Sequence, residues 1–345
     1  MTDFANRAPG MPDCYPSEAK RRRSIESQLL SAFERAECEL VTCGTFEYVD
    51  TLLRARPFGE ASNWVRLFDP SGNALALRPD ITPSIARMAA PVLAKSTATL
   101  RWCYAERVYR HPSDMASLSS GSGKTAESTQ VGVEWLGFQG YMQDAKLIVL
   151  CRHALAEVGV KNAQIVISHA KFPHLVMKAL QIAEHEIDNL LHLLTDGNFV
   201  DFRSELLRQG VAVDVLRILQ SLNPYEPESF NILQDVAPKS ALDVELAADW
   251  QYLTALANTL QAQTLQEMAL FDFTLHRDIH YYTGVVFEGF AAGVGAPIVL
   301  GGRYDELLAQ FGSPSPAIGF VFDLERVLTA ISHSQVRKHA GGGAP

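Results

Sequence analysis

The fold of this chain is decided by three stretches: LRPDITPSIARMAA (77–90), HRDIHYYTGVVFEGF (276–290), and LGGRYDELL with PAIGFVFDLER between 300 and 326. In the first, Thr82 and Pro83 begin a predicted helix, because the first helical turn does not need the N–H that proline lacks. Around the other two stretches we predict strands at 271–276, 285–290 and 297–300. A last helix is predicted from about 323 to 332, with Asp323 as its N-cap.

Hydrophobic spacing and turn residues predict the remaining elements. A first helix is expected after the N-cap Ser17, with apolar residues at helical spacing: Ile25, Leu29, Leu30 and Phe33. Two further helices are expected, over Phe46 to Leu53 and over 144–158. Strands are predicted at 38–43, 100–110, 131–138 and 164–170, and a hairpin at 64–80. The polar, small-residue stretch 112–129 predicts a mobile loop.

The alternation of antiparallel strands with separate helices favours an α+β fold, with one mixed, mainly antiparallel sheet flanked by helices. Residues 171–265 carry helical patterns and predict an inserted helical subdomain. We therefore expect a core formed by 10–170 and 266–332. The ends, 1–9 and 333–345, are expected to be a flexible leader and a flexible tail.

The composition argues against several classes of function. The net charge is −9, and the only dense basic run is KRRR at 20–23, so a nucleic-acid-binding stripe is not expected. Five scattered cysteines without a CxxC pair are typical of a reducing cytosol and predict no metal site. No apolar run reaches the roughly 18 residues that a membrane span needs, and the N-terminus lacks the pattern of a signal peptide. We therefore expect a cytoplasmic protein without membrane contact.

Polar side chains of a particular mixture lie at predicted strand ends and in nearby turns. Those with carboxylate, amide or hydroxyl groups are Asp80, Thr82, Gln130, Glu134, Tyr281 and Tyr282. The arginines of the same segments are Arg78, Arg110, Arg277 and Arg303. Carboxylates suit an ammonium group, arginine pairs with a carboxylate, and tyrosine offers an apolar ring with one hydroxyl. The set suits a free amino acid with a polar ring, but spacing alone equally allows separate surface charges.

The three stretches together resemble the amino-acid pocket of histidyl-tRNA synthetase, a class II aminoacyl-tRNA synthetase, over about 10–160 and 270–330. LRPDITP resembles the family's arginine-proline-acid-x-threonine loop, which implies that Asp80 and Thr82 hold the ammonium group of histidine. QVGVE (130–134) matches a strand of the family that carries a glutamine and a glutamate in the amino-acid pocket. It implies that Gln130 faces the ammonium or carboxylate group and Glu134 the imidazole.

HRDIHYYTGVVFE resembles the family's arginine-x-x-x-tyrosine-tyrosine motif. The match implies that Arg277 contacts the carboxylate of histidine and that Tyr281 and Tyr282 line the ring site. Arg110 matches the arginine that grips the α-phosphate of ATP in synthetases, and we include it in the predicted histidine-binding set.

The sequence departs from the synthetase pattern on the nucleotide side. Two places after Arg110 the family has glutamate, whereas Pro112 has neither a side-chain acceptor nor an N–H for adenine. The loop 112–129, basic in synthetases, holds one lysine and two acids. Asp323 stands where the family has glycine, and its carboxylate would repel phosphate. Only 19 residues follow Arg326 (345 minus 326), so we expect no anticodon-binding domain.

A histidine pocket combined with these departures resembles the regulatory subunits of ATP phosphoribosyltransferase. That resemblance implies a non-catalytic chain that pairs with a short catalytic subunit in the first step of histidine biosynthesis. It further implies activation by assembly into a hetero-octamer, feedback inhibition by L-histidine, and self-association as a dimer. We expect no catalytic residue, cofactor, metal or bound tRNA.

Two other functions remain open from the sequence. A short ligase that adenylates histidine or another amino acid is favoured by Arg110, Arg277 and Arg326, and opposed by Pro112 and Asp323. A module that binds tRNA or a translation factor would need a basic surface, which the net charge of −9 argues against.

Overall fold

The computed structural model describes residues 10–11, 13–55, 64–96, 98–110, 126–208, 210, 214–236, 244–276 and 281–340. Its α-helices are α1 Pro16–Arg35, α2 Val49–Ala55, α3 Thr82–Leu93, α4 Tyr141–Glu157, α5 Phe172–Ala179, α6 Glu184–Thr195, α7 Phe199–Arg208, α8 Asp214–Ser221, α9 Asn231–Val236, α10 Val244–Ala262 and α11 Leu324–Ala340. Its strands are β1 Glu39–Leu40, β2 Phe46–Tyr48, β3 Arg66–Phe68, β4 Ala74–Leu77, β5 Leu100–Tyr109, β6 Glu127–Leu136, β7 Gln164–His169, β8 Ala269–Phe271, β9 Val285–Phe290, β10 Val299–Arg303 and β11 Ala317–Asp323.

One eight-stranded sheet organises the chain, in the order β1-β5-β6-β11-β10-β9-β7-β8. The outer pairs β1/β5 and β7/β8 are parallel, and the five inner pairings are antiparallel. This mixed sheet with flanking helices confirms the predicted α+β class.

The two faces of the sheet differ because successive side chains of a strand point to opposite sides. On one face, apolar residues of β6 and β11 such as Val133 and Phe320 form the main core with helices α1, α4 and α11. Phe33 of α1 lies over this face, with its ring centroid 5.6 Å from that of Phe320. The alternate residues of the same strands include Gln130 and Glu134, and they face the other side.

A second apolar cluster lies within the predicted helical insertion. It joins α5 to α10 around Phe172, Phe202 and Trp250. Helix α10 belongs to both cores, because Leu253 packs in this cluster and Leu256 in the main one. The cluster also includes Phe273, beyond residue 265, and the insertion with its boundaries at 171 and 265 stays a prediction.

Two predicted elements need correction. The helix expected over Phe46 to Leu53 begins only at Val49, because 46–48 form β2 and pair with β4. Local helical spacing was overridden there by strand pairing. The strand expected at 271–276 is β8, which ends at Phe271, because Asp272 turns the chain by accepting hydrogen bonds from Thr274.

The ends of several other elements also differ from the prediction. Helix α1 begins at Pro16 with Tyr15 as its N-cap, so Ser17 lies inside the helix. The strand expected at 297–300 is β10, which runs from Val299 to Arg303.

Helix α11 continues to Ala340, so residues 333–340 are helical rather than part of a tail. Strand β6 begins at Glu127, so the last three residues of the expected loop 112–129 belong to the sheet. Of the predicted strand 38–43, only Glu39–Leu40 pair with β5. Residues 112–125 of the expected loop and the leader 1–9 lie outside the described residues.

The 64–80 hairpin is confirmed as β3 and β4, and Arg78 fixes the segment that follows it. The Arg78 guanidinium is buried and donates to the carbonyls of Cys43 at 2.6 Å and Gly44 at 2.7 Å. It also donates to the carbonyl of Arg107 at 2.9 Å and pairs with Glu106 on β5. These bonds hold the entry to α3 against the main sheet.

The described helices include none long and apolar enough to cross a membrane.

Candidate functional site

A small pocket lies on the polar face of the main sheet, where β6, β11 and β10 run side by side. The start of α3 and the segment that follows residue 280 cover it. Its walls are formed by Asp80, Thr82, Glu134, Tyr281, Tyr282, Leu300, Tyr304, Gly319, Phe320 and Val321. Five of the eight side chains predicted to bind a ligand therefore meet in one place.

Glu134 is the buried centre of this pocket. Its Oε1 accepts hydrogen bonds from the hydroxyls of Thr82 at 2.9 Å and Tyr104 at 3.2 Å, and its Oε2 accepts one from Tyr304. Burial raises the pKa of Glu134 to about 8, and the nearby charge of Asp80 acts in the same direction. The three hydroxyls partly offset this shift and fix the orientation of the carboxyl group.

Glycine is required beneath the Glu134 carboxylate. In the register of the sheet, Glu134 is paired with Gly319, and Gly319 with Gly302. A Cβ at Gly319 would lie 1.6 Å from Oε2 of Glu134, which no side chain allows. A Cβ at Gly302 would lie 2.7 Å from the ring of Tyr282. The bare backbone of β10 and β11 therefore makes the floor of the pocket.

Asp80 forms the second acidic position. Its carboxylate accepts hydrogen bonds from the N–H of Ile81 and the hydroxyl of Tyr281, both at 2.9 Å. Burial raises the pKa of Asp80, while those bonds, the charge of Arg110 and the side chain of Gln130 oppose the rise. Two buried carboxyl groups thus face the same small volume, which suits a ligand that brings positive charge and N–H donors.

Gln130 and Arg110 lie beside Asp80 without being part of the pocket wall. Gln130 is buried, and its Oε1 finds no hydrogen-bond partner among the described residues. A buried acceptor without a donor costs free energy, so a ligand ammonium group would be favoured there. Arg110 follows β5, and its Nη1 lies 3.4 Å from the hydroxyl of Ser128. Arg277, predicted to contact the ligand carboxylate, lies outside the described residues.

Aromatic rings close the other side of the pocket. Tyr281 packs edge-on against Tyr282, with ring centroids 5.0 Å apart, and against Tyr304 at 5.9 Å. The space left between the described walls is about 10 Å³, which is room for about one water molecule. An amino acid needs more room than these walls leave in this arrangement.

Two residues of the site were missed by the sequence analysis, namely Tyr104 and Tyr304. Both donate to Glu134, and Tyr104 pairs with Gly132 in the register of the sheet. A Cβ at Gly132 would lie 2.5 Å from the Tyr104 hydroxyl, so this glycine makes room for the tyrosine. A tyrosine opposite a glycine across paired strands is the signal that could have identified it.

On the expected nucleotide side, Arg326 is held by groups of its own chain. Its Nη1 donates to the carbonyl of Pro297 at 2.6 Å, and its Nε lies 3.4 Å from the carboxylate of Asp323. Asp323 also accepts the N–H of Arg326 at 3.1 Å, which confirms the predicted N-cap of the last helix. The guanidinium is buried and serves the local structure.

The described part of the chain contains no group of three or more His, Cys, Asp or Glu side chains placed to hold a metal ion. All five cysteines are free thiols. A larger open groove of about 750 Å³, lined by Tyr48, Arg54 and Gln310 among others, lacks buried carboxyl groups. The convergence of buried polar side chains, rather than volume, therefore identifies the site around Glu134.

The raised pKa of Glu134 predicts how stability depends on pH. Between its ordinary value of 4.5 and the folded value of about 8, the folded chain keeps a proton that the unfolded chain releases. The free energy of unfolding should therefore fall as pH rises. The buried His169, whose pKa is lowered from 6.5 to about 4, contributes an opposite slope that fades as pH rises above 6.5. We expect the melting temperature of the wild type to fall between pH 6.5 and 8, and that of Glu134→Gln to fall less.

The matched control for this measurement is Glu306→Gln, which removes an exposed carboxylate. It should keep the wild-type slope of melting temperature against pH. Equal slopes for wild type and Glu134→Gln would show that Glu134 is ionised at neutral pH.

Comparisons with known proteins agree with this arrangement. Residues 10–327 match the family model described as histidyl-tRNA synthetase. A relative from Moorella thermoacetica, named ATP phosphoribosyltransferase regulatory subunit, is 32% identical over 336 residues, which cover 96% of this chain and 84% of the relative.

Two solved structures also superpose closely on the chain. One, from Alicyclobacillus acidocaldarius, is described as a histidine–tRNA ligase subunit; it has a TM-score of 0.85 and 43% identity, covering 97% of this chain and 99% of that one. The other, from Bacillus halodurans, is described as an ATP phosphoribosyltransferase regulatory subunit/histidyl-tRNA synthetase; it has a TM-score of 0.83 and 27% identity, covering 99% and 92%. The chain belongs to the histidyl-tRNA synthetase family and, within it, to the ATP phosphoribosyltransferase regulatory subunits.

Proposed function

We propose that this chain is the non-catalytic regulatory subunit of an ATP phosphoribosyltransferase, the enzyme of the first step of histidine biosynthesis. It activates a short catalytic subunit by assembling with it, and it binds L-histidine as the feedback inhibitor. The observation that carries this proposal is the buried Glu134, fixed by three hydroxyls above a glycine floor. Family membership is the argument for the catalytic subunit as partner, and the pocket is the argument for histidine as ligand.

Each part of histidine has a matching group in the proposed pocket. The imidazole N–H would donate to Glu134, beside the rings of Tyr281 and Tyr282. The ammonium group would lie between Asp80 and the unpaired Oε1 of Gln130. Hydrogen bonds between charged groups of this kind contribute about 1.5–3 kcal/mol each. The carboxylate is assigned to Arg277 from the resemblance, with Arg110 as the next positive charge.

Binding without catalysis is supported by the nucleotide side. Arg326 is engaged with Pro297 and Asp323, so its charge is already balanced by a carboxylate. Phosphate groups that approach Arg326 would also approach the Asp323 carboxylate, and the two negative charges would repel each other. Pro112 further removes the expected adenine acceptor. These features favour a chain that holds the amino acid and does not activate it.

A second candidate is a ligase that adenylates histidine or another amino acid. It is favoured by the relative at 43% identity that is described as a histidine–tRNA ligase subunit. The retained Arg110 also fits a ligase, whereas the contacts of Arg326 with Pro297 and Asp323 argue against ATP binding there. The two candidates share the amino-acid pocket and differ in whether ATP reacts there.

We also propose that the chain self-associates through the small sheet β2-β4-β3. On one face of this sheet, register places five apolar side chains together: Phe46, Tyr48, Leu67, Leu75 and Leu77. Phe46 and Tyr48 are 50% and 52% exposed. The opposite face packs on the α2 residues Val49 and Leu52. A face without charged side chains suits the centre of a homodimer interface, and twofold dimers are the commonest assemblies.

Reconstitution tests the regulatory function. Mixed with a short ATP phosphoribosyltransferase catalytic subunit, the wild-type chain should increase product formation, and L-histidine should suppress that increase. In Glu134→Gln the histidine concentration for half inhibition should rise about 10- to 100-fold, because glutamine cannot ionise to the carboxylate that the imidazole N–H and the positive charge of the ligand favour. The exposed Glu306→Gln serves as the control and should match the wild type. A wild-type complex without activation, or one insensitive to histidine, would contradict the proposal.

Sedimentation velocity tests the proposed self-association. Tyr48→Lys places a charge in the apolar face and should convert the isolated chain from dimer to monomer at micromolar concentration. Phe68→Lys is the matched control, because Phe68 is 73% exposed and points to the other face of the same sheet. Two results would refute this interface: a monomeric wild type, or a Tyr48→Lys chain that stays dimeric.

A further inference from the structure

Arg303 stands between two walls of the pocket but turns its side chain away from it. Along β10 its neighbours are Gly302, which supports the ring of Tyr282, and Tyr304, which donates to Glu134. Because residues alternate along a strand, Arg303 points to the helix-covered face, in register with Ile318 of the main core. Its carbonyl accepts the N–H of Thr283 at 2.8 Å. The backbone of Arg303 is therefore joined directly to Tyr304 and, through Thr283, to Tyr282.

The Arg303 guanidinium is tied to helix α4. It forms a buried ion pair with Asp144 and donates to the carbonyl of Phe138 at 3.1 Å. A further bond reaches Asp305 at 2.9 Å. Breaking a buried ion pair is strongly unfavourable, so this group moves as a unit and does not absorb small shifts.

The same carboxylate reaches the helical insertion. Asp144 accepts a hydrogen bond from the hydroxyl of Tyr252 on α10. One turn earlier on α10, Asp249 lies 3.6 Å from the imidazole of His169, too far for a hydrogen bond. His169 is in register with Val285, and the next residue, Ala170, donates its N–H to the carbonyl of Gly284 at 2.9 Å.

One polar link thus runs from α10 through Tyr252, Asp144 and Arg303 to Thr283, the residue that follows the pocket tyrosines. Asp249 and His169 lie beside this link without a hydrogen bond between them. Since α10 packs in both apolar cores, a shift at Tyr252, in the middle of the helix, would be shared with the rest of the insertion.

We infer that the Tyr252–Asp144–Arg303 chain couples amino-acid occupancy of the pocket to the position of the helical insertion. This inference rests on the proposed regulatory function and names its route. An amino acid that displaces Tyr282 and Tyr304 on entering the pocket would shift the backbone at Arg303. The ion pair carries that displacement to Tyr252. Allosteric coupling of this kind typically changes affinity about 5- to 150-fold.

The test uses the reconstituted complex with Tyr252→Phe, which removes one hydroxyl from a residue outside the pocket. The histidine concentration for half inhibition should rise about tenfold or more. Histidine affinity of the isolated chain, measured by calorimetry, should stay within about threefold of the wild type. The matched control is Tyr225→Phe, because Tyr225 lies in the same insertion. This change removes a hydroxyl that donates to the carbonyl of Ala269 on β8 at 2.8 Å. It should behave as the wild type.

A second readout needs no catalytic subunit. In the wild-type chain, adding L-histidine should change the amide hydrogen exchange of α10, and in Tyr252→Phe it should not. If histidine binds and leaves α10 exchange unchanged in the wild type, or if Tyr252→Phe is inhibited as strongly as the wild type, the coupling route is wrong. If the wild-type complex is not inhibited by histidine at all, the proposed function fails instead.

Discussion

The buried carboxyl group of Glu134 is the constraint around which the site is arranged. A carboxyl group in an apolar interior is tolerated only when it is hydrogen-bonded or neutral. Here it has three hydroxyl donors from three separate segments, namely Thr82 on α3, Tyr104 on β5 and Tyr304 after β10. Gly319 leaves the space that this carboxyl group occupies, and Gly302 leaves space for the ring of Tyr282. Removing any of these partners changes the position or charge of the one group that a polar ring would meet.

The two faces of the main sheet have different roles: one carries the proposed binding pocket and the other packs in the main core. Its polar face carries Glu134 and the tyrosines, and its apolar face carries the main core under α1, α4 and α11. Arg303 connects the two, because its neighbours face the pocket while its side chain pairs with Asp144 behind the sheet. A regulatory subunit needs such a connection, since a ligand acts at a distance only if its site and the responding element share a structural change.

Much of the fold and part of the site followed from the sequence for physical reasons. Strand alternation and the turn at Asp69 to Asn73 predicted the hairpin, and resemblance placed Asp80, Thr82 and Glu134 together. Spacing could not show which tyrosines converge on Glu134, because Tyr104 and Tyr304 are brought there by strand register across distant segments. For the same reason β2 was predicted as helix. The partners of Arg303 and Arg326 depend on tertiary packing, which no local pattern encodes.

The central claim is that this pocket holds histidine and does not activate it. It is tested most directly by exchange of labelled pyrophosphate into ATP, measured on the chain while calorimetry in the same buffer follows histidine binding. The account predicts a clear heat of histidine binding and no histidine-dependent exchange above the blank. Exchange that rises with histidine, or no heat of binding, would contradict it.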